Sequence, residues 1–311
     1  MKVCHIVNSF DPACDVLRCV RELNLYSRHS HTLLVKEPHP LQYVYQYEQP
    51  EKPGWLLPFQ EILKMMDEAD ILIYHFVGWE NGWSNESKPS AFRNVNIYYN
   101  HDEDRFWSSP DYNAASYDRY KLVASSHVGA VDFMPDNRFR WLPDLLPLDG
   151  AYSFFPAKRP RPAISYIKHA DELQKYDLKG SIHHIDCSHT AHADVLRKRQ
   201  SFASVVIDNV CDGHYGLAGQ EAVIMGLPVV VFNHEKTLAT IGDWEVSNTI
   251  FPFIQATTVT EAADIATLYA KKAGRSQRLH RQMIRNWAEE FLDPRVLIAA
   301  YWDPFIEELA A

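Results

Sequence analysis

Apolar residues in this chain gather in short continuous runs, and the stretches between them carry apolar positions every three or four residues. The runs at 2–8, 31–36, 70–76, 95–99 and 121–125, with a further one at 138–142, read as strands covered on both faces. Helical spacing lies between them at about 14–28, 59–68 and 126–134. Strands alternating with helices predict a parallel sheet with helices on both faces. The proline-rich stretch Pro143–Pro162 breaks this rhythm and reads as a linker. The rhythm then restarts with strands at 163–167, 182–186, 204–208 and 228–232. Helices are expected from about 171 and at 190–200, 218–225, 260–273 and 275–291. A last helical segment, 294–308, is bounded by Pro294 and limited or kinked by Pro304. The 37–58 region, rich in Pro, Tyr and Gln, reads as an irregular excursion.

Length and charge narrow this picture. A chain of 311 residues accommodates two domains of ordinary size. No apolar run approaches the roughly 20 residues of a membrane span, and no signal-peptide pattern precedes the first strand. The expectation is a cytoplasmic protein without stable membrane insertion. Residues 1–150 hold 14 Lys/Arg against 21 Asp/Glu, a balance of −7 within the net −9, which disfavours DNA or anionic lipid as a tightly held partner of that half. The five cysteines lack Cys-x-x-Cys spacing and fit a reducing compartment, with Cys4 and Cys211 expected to be packed.

The stretch Ser204–Val231, SVVIDNVCDGHYGLAGQEAVIMGLPVVV, carries the most chemistry. It reads as buried strand, glycine-punctuated loop, short helix and second buried strand. Gly213, Gly216 and Gly219 permit tight turning and close approach to a ligand. The helix after the loop presents its N-terminal amides to it, a natural seat for phosphate. Glu221, just inside the helix, is placed to accept hydrogen bonds from ribose hydroxyls. Gly226-Leu227-Pro228 ends the helix.

In its order Tyr215-Gly216, Glu221-Ala222, Met225-Gly226-Leu227-Pro228-Val229, this stretch resembles the donor-binding signature of GT-B glycosyltransferases of the retaining, family-4 type. The resemblance implies two Rossmann-like doubly wound domains facing across a cleft, with a C-terminal helix packing back on the first. The expected division is an acceptor domain at 1–145, a linker at 146–162, a nucleotide-sugar domain at 163–291 and a crossover helix at 292–311. It implies a hexosyltransferase-type enzyme moving a sugar from a nucleotide-sugar donor, UDP-linked for instance, to an acceptor hydroxyl. Retention of configuration is implied, and no essential divalent metal or other cofactor.

Carried over position by position, the resemblance places Gly213, Tyr215, Gly216, Leu217 and Glu221 at the donor. Asp212 stands nearest the place of the first family acid but departs from the pattern, nine residues before Glu221 where the family usually spaces the pair by eight. The string IKHADELQKYDLKGS resembles a family segment in which a lysine contacts the donor diphosphate, which points to Lys179, with Lys168 and His169 upstream. Ser9–Ala13 occupies the place of a family glycine-rich turn but holds no glycine. His101, after strand 95–99, resembles the strand-end His lining the sugar and acceptor pocket, and His75 ends the strand before it. Trp79 and Trp107, in the segments after those strands, suit stacking on an acceptor ring, or equally packing of their own loops. A histidine cluster around Asp186 and Cys187 invites a zinc site, but packing or surface roles fit its spacing better. Asp102–Asp104 reads as a solvated or acceptor-facing loop. The expected acceptor is a soluble glycan or small molecule, with a modified DNA base possible. A non-catalytic nucleotide-sugar binding module and a GT-B-fold epimerase remain open.

Overall fold

The computed structural model describes residues 1–37, 59–75, 95–100, 121–126, 139–154, 163–166, 173, 183–186, 192–210, 215–233, 235–242, 251–271 and 275–310. The chain divides into two compact units, Met1–Leu146 with Pro294–Ala311, and Pro147–Asp293.

The first unit contains β1 (Lys2–Ser9), α1 (Phe10–Tyr26), β2 (Ser30–Glu37), α2 (Phe59–Glu68), β3 (Ile71–His75), β4 (Val95–Asn100), β5 (Leu122–Ser125) and β6 (Phe139–Trp141). These strands form one parallel sheet in the order β2-β1-β3-β4-β5-β6. The chain steps from β1 outward to β2, then crosses back over β1 to reach β3. That reversal is a topological switch point, and open α/β sheets bind ligands outside the carboxyl ends of the strands flanking it. The expected loop at 9–13 is not there, because α1 begins at Phe10 directly after β1. Pro12 is tolerated at the third helical position, where an N–H has no acceptor within the helix.

The second unit contains β7 (Ala163–Tyr166), β8 (His183–Asp186), α3 (His192–Phe202), β9 (Val205–Ile207), α4 (Leu217–Ile224), β10 (Val229–Val231), α5 (Glu235–Gly242), β11 (Phe253–Gln255), α6 (Val259–Lys271) and α7 (Arg275–Phe291). Its parallel sheet runs β11-β10-β9-β7-β8, the same winding as the first, with its switch point between β7 and β9. The β-branched triplets of β9 and β10 are buried throughout, as continuous apolar runs in a doubly covered sheet should be. The small side chains Ala262, Ala263, Ala266 and Ala270 line one face of α6 and bring it onto Val205, Ile207 and Val230. Two elements exceed the sequence reading. β11 has only three residues, and α5 is a short helix of modest propensity with two threonines and a terminal glycine.

The chain ends with α8 (Pro294–Leu297), a π-helical turn (Ile298–Trp302) and α9 (Asp303–Ala310). Pro304 cannot donate the backbone bond that a regular helix needs, and the wider turn immediately precedes it. Leu297, Ile298, Trp302, Phe305, Ile306 and Leu309 complete the first unit's core against Val3, Leu23, Ile71 and Ile73. The Trp302 indole N–H donates to the Pro143 carbonyl at 3.0 Å. The proline-rich stretch is packed, at least where it is described. Leu142, Leu145 and Leu146 are buried within the first unit, and Tyr152 within the second. The helix expected at 126–134 lies outside the described residues beyond Ser126.

Candidate functional site

Around its own switch point, the second unit buries several polar side chains, among them Ser165, Arg199, Asp208 and Glu221. Asp208 comes directly after β9, and its Oδ2 accepts the Gly216 N–H at 2.8 Å, just ahead of α4. A Cβ at Gly219 would collide with that same oxygen, so any larger residue there would have to displace the carboxylate beneath it. The first turn of α4 therefore wraps an internal anion, which the partial positive charge of the helix N-terminus stabilises. The phosphate seat expected at this helix start is shared with Asp208. Gly216 itself has extended backbone (φ −88°), so its role is small size rather than special conformation.

Glu221 lies one turn further along α4 and is turned inward. Its Oε2 is 3.3 Å from Arg199 Nη1, and its Oε1 accepts the Tyr152 hydroxyl at 3.4 Å. Arg199, on α3, also donates to Ser165 Oγ on β7 at 3.3 Å and to the Ala218 carbonyl at 3.2 Å. Its Nη2 is buried without a hydrogen-bond partner. A ribose held by Glu221 would share the carboxylate with Arg199. The helix ends in a glycine cap: Gly226 has φ +74°, its N–H donates to the Val223 carbonyl, and the Leu227 N–H donates to Ala222 (both 2.8 Å). A Cβ at Gly226 would meet the Arg281 carbonyl at 2.7 Å, which reinforces the choice of residue. Arg285 fixes the same end, donating to the Ile224 carbonyl at 2.5 Å and the Leu148 carbonyl at 2.7 Å.

Tyr215 packs into the core, its ring 4.6 Å from Phe253 and nearly parallel to it. Leu217 is half-buried at the start of α4. Asp212, Gly213, Lys168, His169 and Lys179 lie outside the described residues. Sequence reasoning missed Asn233 and Gln255, which stand at the carboxyl ends of β10 and β11. The Asn233 side chain is buried with neither its Nδ2 nor its Oδ1 hydrogen-bonded, and Gln255 Nε2 is likewise unpaired. The Gln255 Oε1 accepts the Asn233 backbone N–H at 2.8 Å. Unsatisfied buried amides are uncommon in folded proteins, and these two stand at the sheet edge where a ligand belongs. A polar residue one or two places past each buried strand run was the available signal.

In the first unit, His75 closes β3 and is buried. Its Nε2 is 2.8 Å from His5 Nδ1 on β1, and His5 Nε2 is 3.0 Å from His31 Nδ1 on β2. Neither His5 nor His31 was singled out by the sequence, and strand pairing alone assembles the three. The Tyr99 ring lies 5.2 Å from His75, and its hydroxyl donates to the Leu142 carbonyl at 2.9 Å. Burial and the nearby Asp144 hold the Tyr99 hydroxyl well above its ordinary pKa, so it remains a donor. His101, Trp79 and Trp107 lie outside the described residues. Among the described residues, no helix is long and apolar enough to cross a membrane.

No protein-family profile and no curated protein matches the sequence. Solved structures do match across the whole chain. HepE of Anabaena, solved with UDP and glucose, is similar at a TM-score of 0.61 and 11% identity, covering 100% of this chain and 99% of its own. A glycosyltransferase from Rickettsia africae ESF-5 is similar at a TM-score of 0.62 and 9% identity, covering 99% and 98%. WaaG, a glycosyltransferase involved in lipopolysaccharide biosynthesis, is similar at 0.54 and 11% identity, covering 96% and 99%. At such identities the likeness is one of architecture, and the chain has the GT-B fold, with two doubly wound α/β units and a C-terminal segment that returns to the first.

Proposed function

We propose that this chain is a glycosyltransferase that moves a sugar from a nucleotide-sugar donor to an acceptor hydroxyl. The observation that carries the reading is the edge of the second unit's sheet. There the glycine-bounded start of α4 comes after the switch-point strand β9, and Asn233 and Gln255 hold unpaired amide atoms one and two strands away. A helix N-terminus suits a diphosphate, and orphaned amides suit the hydroxyls or base edge of a nucleoside. HepE, which shares the fold, was solved with UDP and glucose, which favours a uridine diphosphate donor here.

In this reading the second unit holds the donor. Glu221 meets the ribose, Lys179 sits near the diphosphate with Lys168 and His169, and Gly213, Tyr215, Gly216 and Leu217 form the loop around it. Asp212 is assigned to the sugar. The acceptor, a soluble glycan or small molecule, belongs to the first unit with His75, His101, Trp79 and Trp107. The transfer retains configuration, with attack on the donor face that the leaving phosphate vacates, and it proceeds in the cytoplasm without an essential metal.

A thermal-shift panel of nucleotides and nucleotide sugars tests the donor assignment. A ligand present at 100 times its dissociation constant adds about 2.7 kcal/mol of stability. UDP or a UDP-sugar is expected to raise the melting temperature, and the absence of a shift with every nucleoside diphosphate would sink the assignment. Slow donor hydrolysis without acceptor separates an enzyme from a module that only binds.

A further inference from the structure

Helix α7 of the second unit carries its charge against its own dipole. Its arginines, Arg275, Arg278, Arg281 and Arg285, precede its acids, Glu289 and Glu290, and no acidic residue stands in its first turn. The partial charges of a helix favour the opposite order, with anions at the amino end and cations at the carboxyl end. Arg285 is accounted for. Its Nε–H donates to Glu289, its Nη1 to the Ile224 and Tyr152 carbonyls and its Nη2 to the Leu148 carbonyl. Arg281, one turn earlier on the same buried side, has no such set of acceptors.

The Arg281 side chain is buried, and neither its Nε nor its Nη1 has a hydrogen-bond partner. Gln277, one turn earlier again, is buried with its Nε2 unpaired. Positions four apart share a helix face, so both side chains belong to the buried side of the first two turns of α7. The Phe154 ring centroid lies 6.0 Å from the guanidinium carbon, at the outer limit of a cation–π contact. Burial pushes the Arg281 pKa down to about 10, so the group is still a cation at neutral pH, held out of water. All three unpaired atoms are donors. Water would satisfy them and leave the charge uncompensated, whereas an oxyanion, which only accepts, answers both needs.

We propose that Gln277, Arg281 and the first turn of α7 form a binding site for a phosphoryl group, separate from the donor edge. The guanidinium fork suits two phosphate oxygens and the Gln277 amide a third. The N–H groups of a helix start, which have no acceptors within the helix, favour the same charge. The site lies toward the opposite end of α4 from the donor seat. A Cβ at Gly226, the cap of α4, would meet both the Arg281 carbonyl and the Phe154 ring at 2.7 Å, and the eight residues of α4 span about 12 Å. The proposal goes beyond the transferase reading and stands without it. The phosphoryl group belongs either to a free phosphate or small phosphate ester, or to a lipid headgroup, and its chemistry at Arg281 is the same in both.

Inorganic phosphate titrated into the full chain, against chloride at matched ionic strength, tests the site. At 100 times its dissociation constant phosphate should raise the melting temperature by about 5–10 °C. In nitrogen-15 arginine-labelled protein the Arg281 Nε–H resonance should move along the same titration. Arg281→Met should lose the thermal shift, and in chloride it should be at least as stable as wild type, because a buried cation without an anion has been removed. Gln277→Leu should weaken phosphate binding by about tenfold, as expected for one hydrogen bond to a charged group. A wild type that phosphate does not shift, a full shift retained in Arg281→Met, or a clear loss of stability in that variant in chloride would each overturn the site. Should the variant fail to fold, a stationary Arg281 resonance in the wild type overturns it alone. Flotation with phosphatidylcholine vesicles, with and without phosphatidic acid, separates the sources. Flotation that needs both phosphatidic acid and Arg281 assigns a headgroup, and a response to phosphate or glycerol 3-phosphate without flotation assigns a free ligand. Failure of every nucleotide to bind removes the transferase reading and leaves this test intact.

Discussion

Breaking the Arg199–Glu221 pair tests how the second unit is held and whether Glu221 is available to a ligand. Both side chains are buried, 0% and 4% exposed, and their charged atoms are 3.3 Å apart. Surface pairs of this length contribute little because water screens them. Here the carboxylate has no water to return to when Arg199 is removed, and the guanidinium none when Glu221 is removed. Loss of one partner from a buried pair costs about 3–5 kcal/mol. At roughly 2–4 °C per kcal/mol for a chain of this size, Glu221→Ala and Arg199→Ala should each lower the melting temperature by about 6–20 °C. The double variant Arg199→Met/Glu221→Leu removes both charges and fills the space, so it should recover much of that loss. Urea unfolding monitored by circular dichroism, arranged as a double-mutant cycle, should give a coupling of about 2 kcal/mol or more. Single variants within about 0.5 kcal/mol of wild type would refute the pair. In nucleotide-binding experiments Glu221→Gln is the better probe, because it keeps an acceptor for Arg199 and Tyr152 while removing the charge.

Gly219→Ala should destabilise by about 1–3 kcal/mol, because the new methyl displaces the Asp208 carboxylate from the Gly216 N–H. Adding Asp208→Ala should recover part of this in urea unfolding, and equal stability of Gly219→Ala and wild type would show the space to be open. Acid should weaken the first unit through His31. Its folded pKa of about 4 lies below the ordinary 6.5, so the unfolded chain binds more protons between those values and stability rises with pH across that window. The contribution lost as pH falls from 6.5 to 4 is about 3 kcal/mol, and Asp303, with its lowered pKa, adds a loss at still lower pH. His31→Gln should flatten the rise between pH 4 and 6.5, and a stability curve parallel to wild type would contradict this. Burial pushes the Cys4 thiol up to about 11 and the Cys19 thiol well above its ordinary value, so neither should react with iodoacetamide in the folded protein at pH 8. Peptide mass spectrometry decides that, with rapid native labelling of either as the opposing result.

The architecture was legible where burial forces a continuous apolar run. Val205–Ile207 and Val229–Val231 could hardly be anything but doubly covered strands, and Arg275–Phe291 shows its helical period plainly. The chemistry was less legible because it depends on register. His31 sits opposite Val3 and His5 opposite Ile73, so the three imidazoles meet diagonally across β2, β1 and β3 although His5 and His75 are 70 residues apart. Each alone looks like a packing histidine. Arg199 stands in the string Arg197-Lys198-Arg199-Gln200, which has a surface composition, and only the inward side of α3 makes it the partner of Glu221. Asp208 could have been suspected, as an acid placed directly after a buried strand and ahead of a glycine-bounded helix.

The two units then show a common arrangement that neither shows alone. Each has the same strand winding and therefore its own switch point, between β1 and β3 in one and between β7 and β9 in the other. Each gathers buried polar side chains on the flanking strands or immediately past their carboxyl ends, His5 and His75 in the first unit, Ser165 and Asp208 in the second. Apolar side chains would pack at these positions without the desolvation of polar groups. A stability requirement alone would not place them twice at the one edge of a doubly wound sheet where ligands bind. The polar networks track the topology, one built from imidazoles and the other from a buried ion pair and a carboxylate.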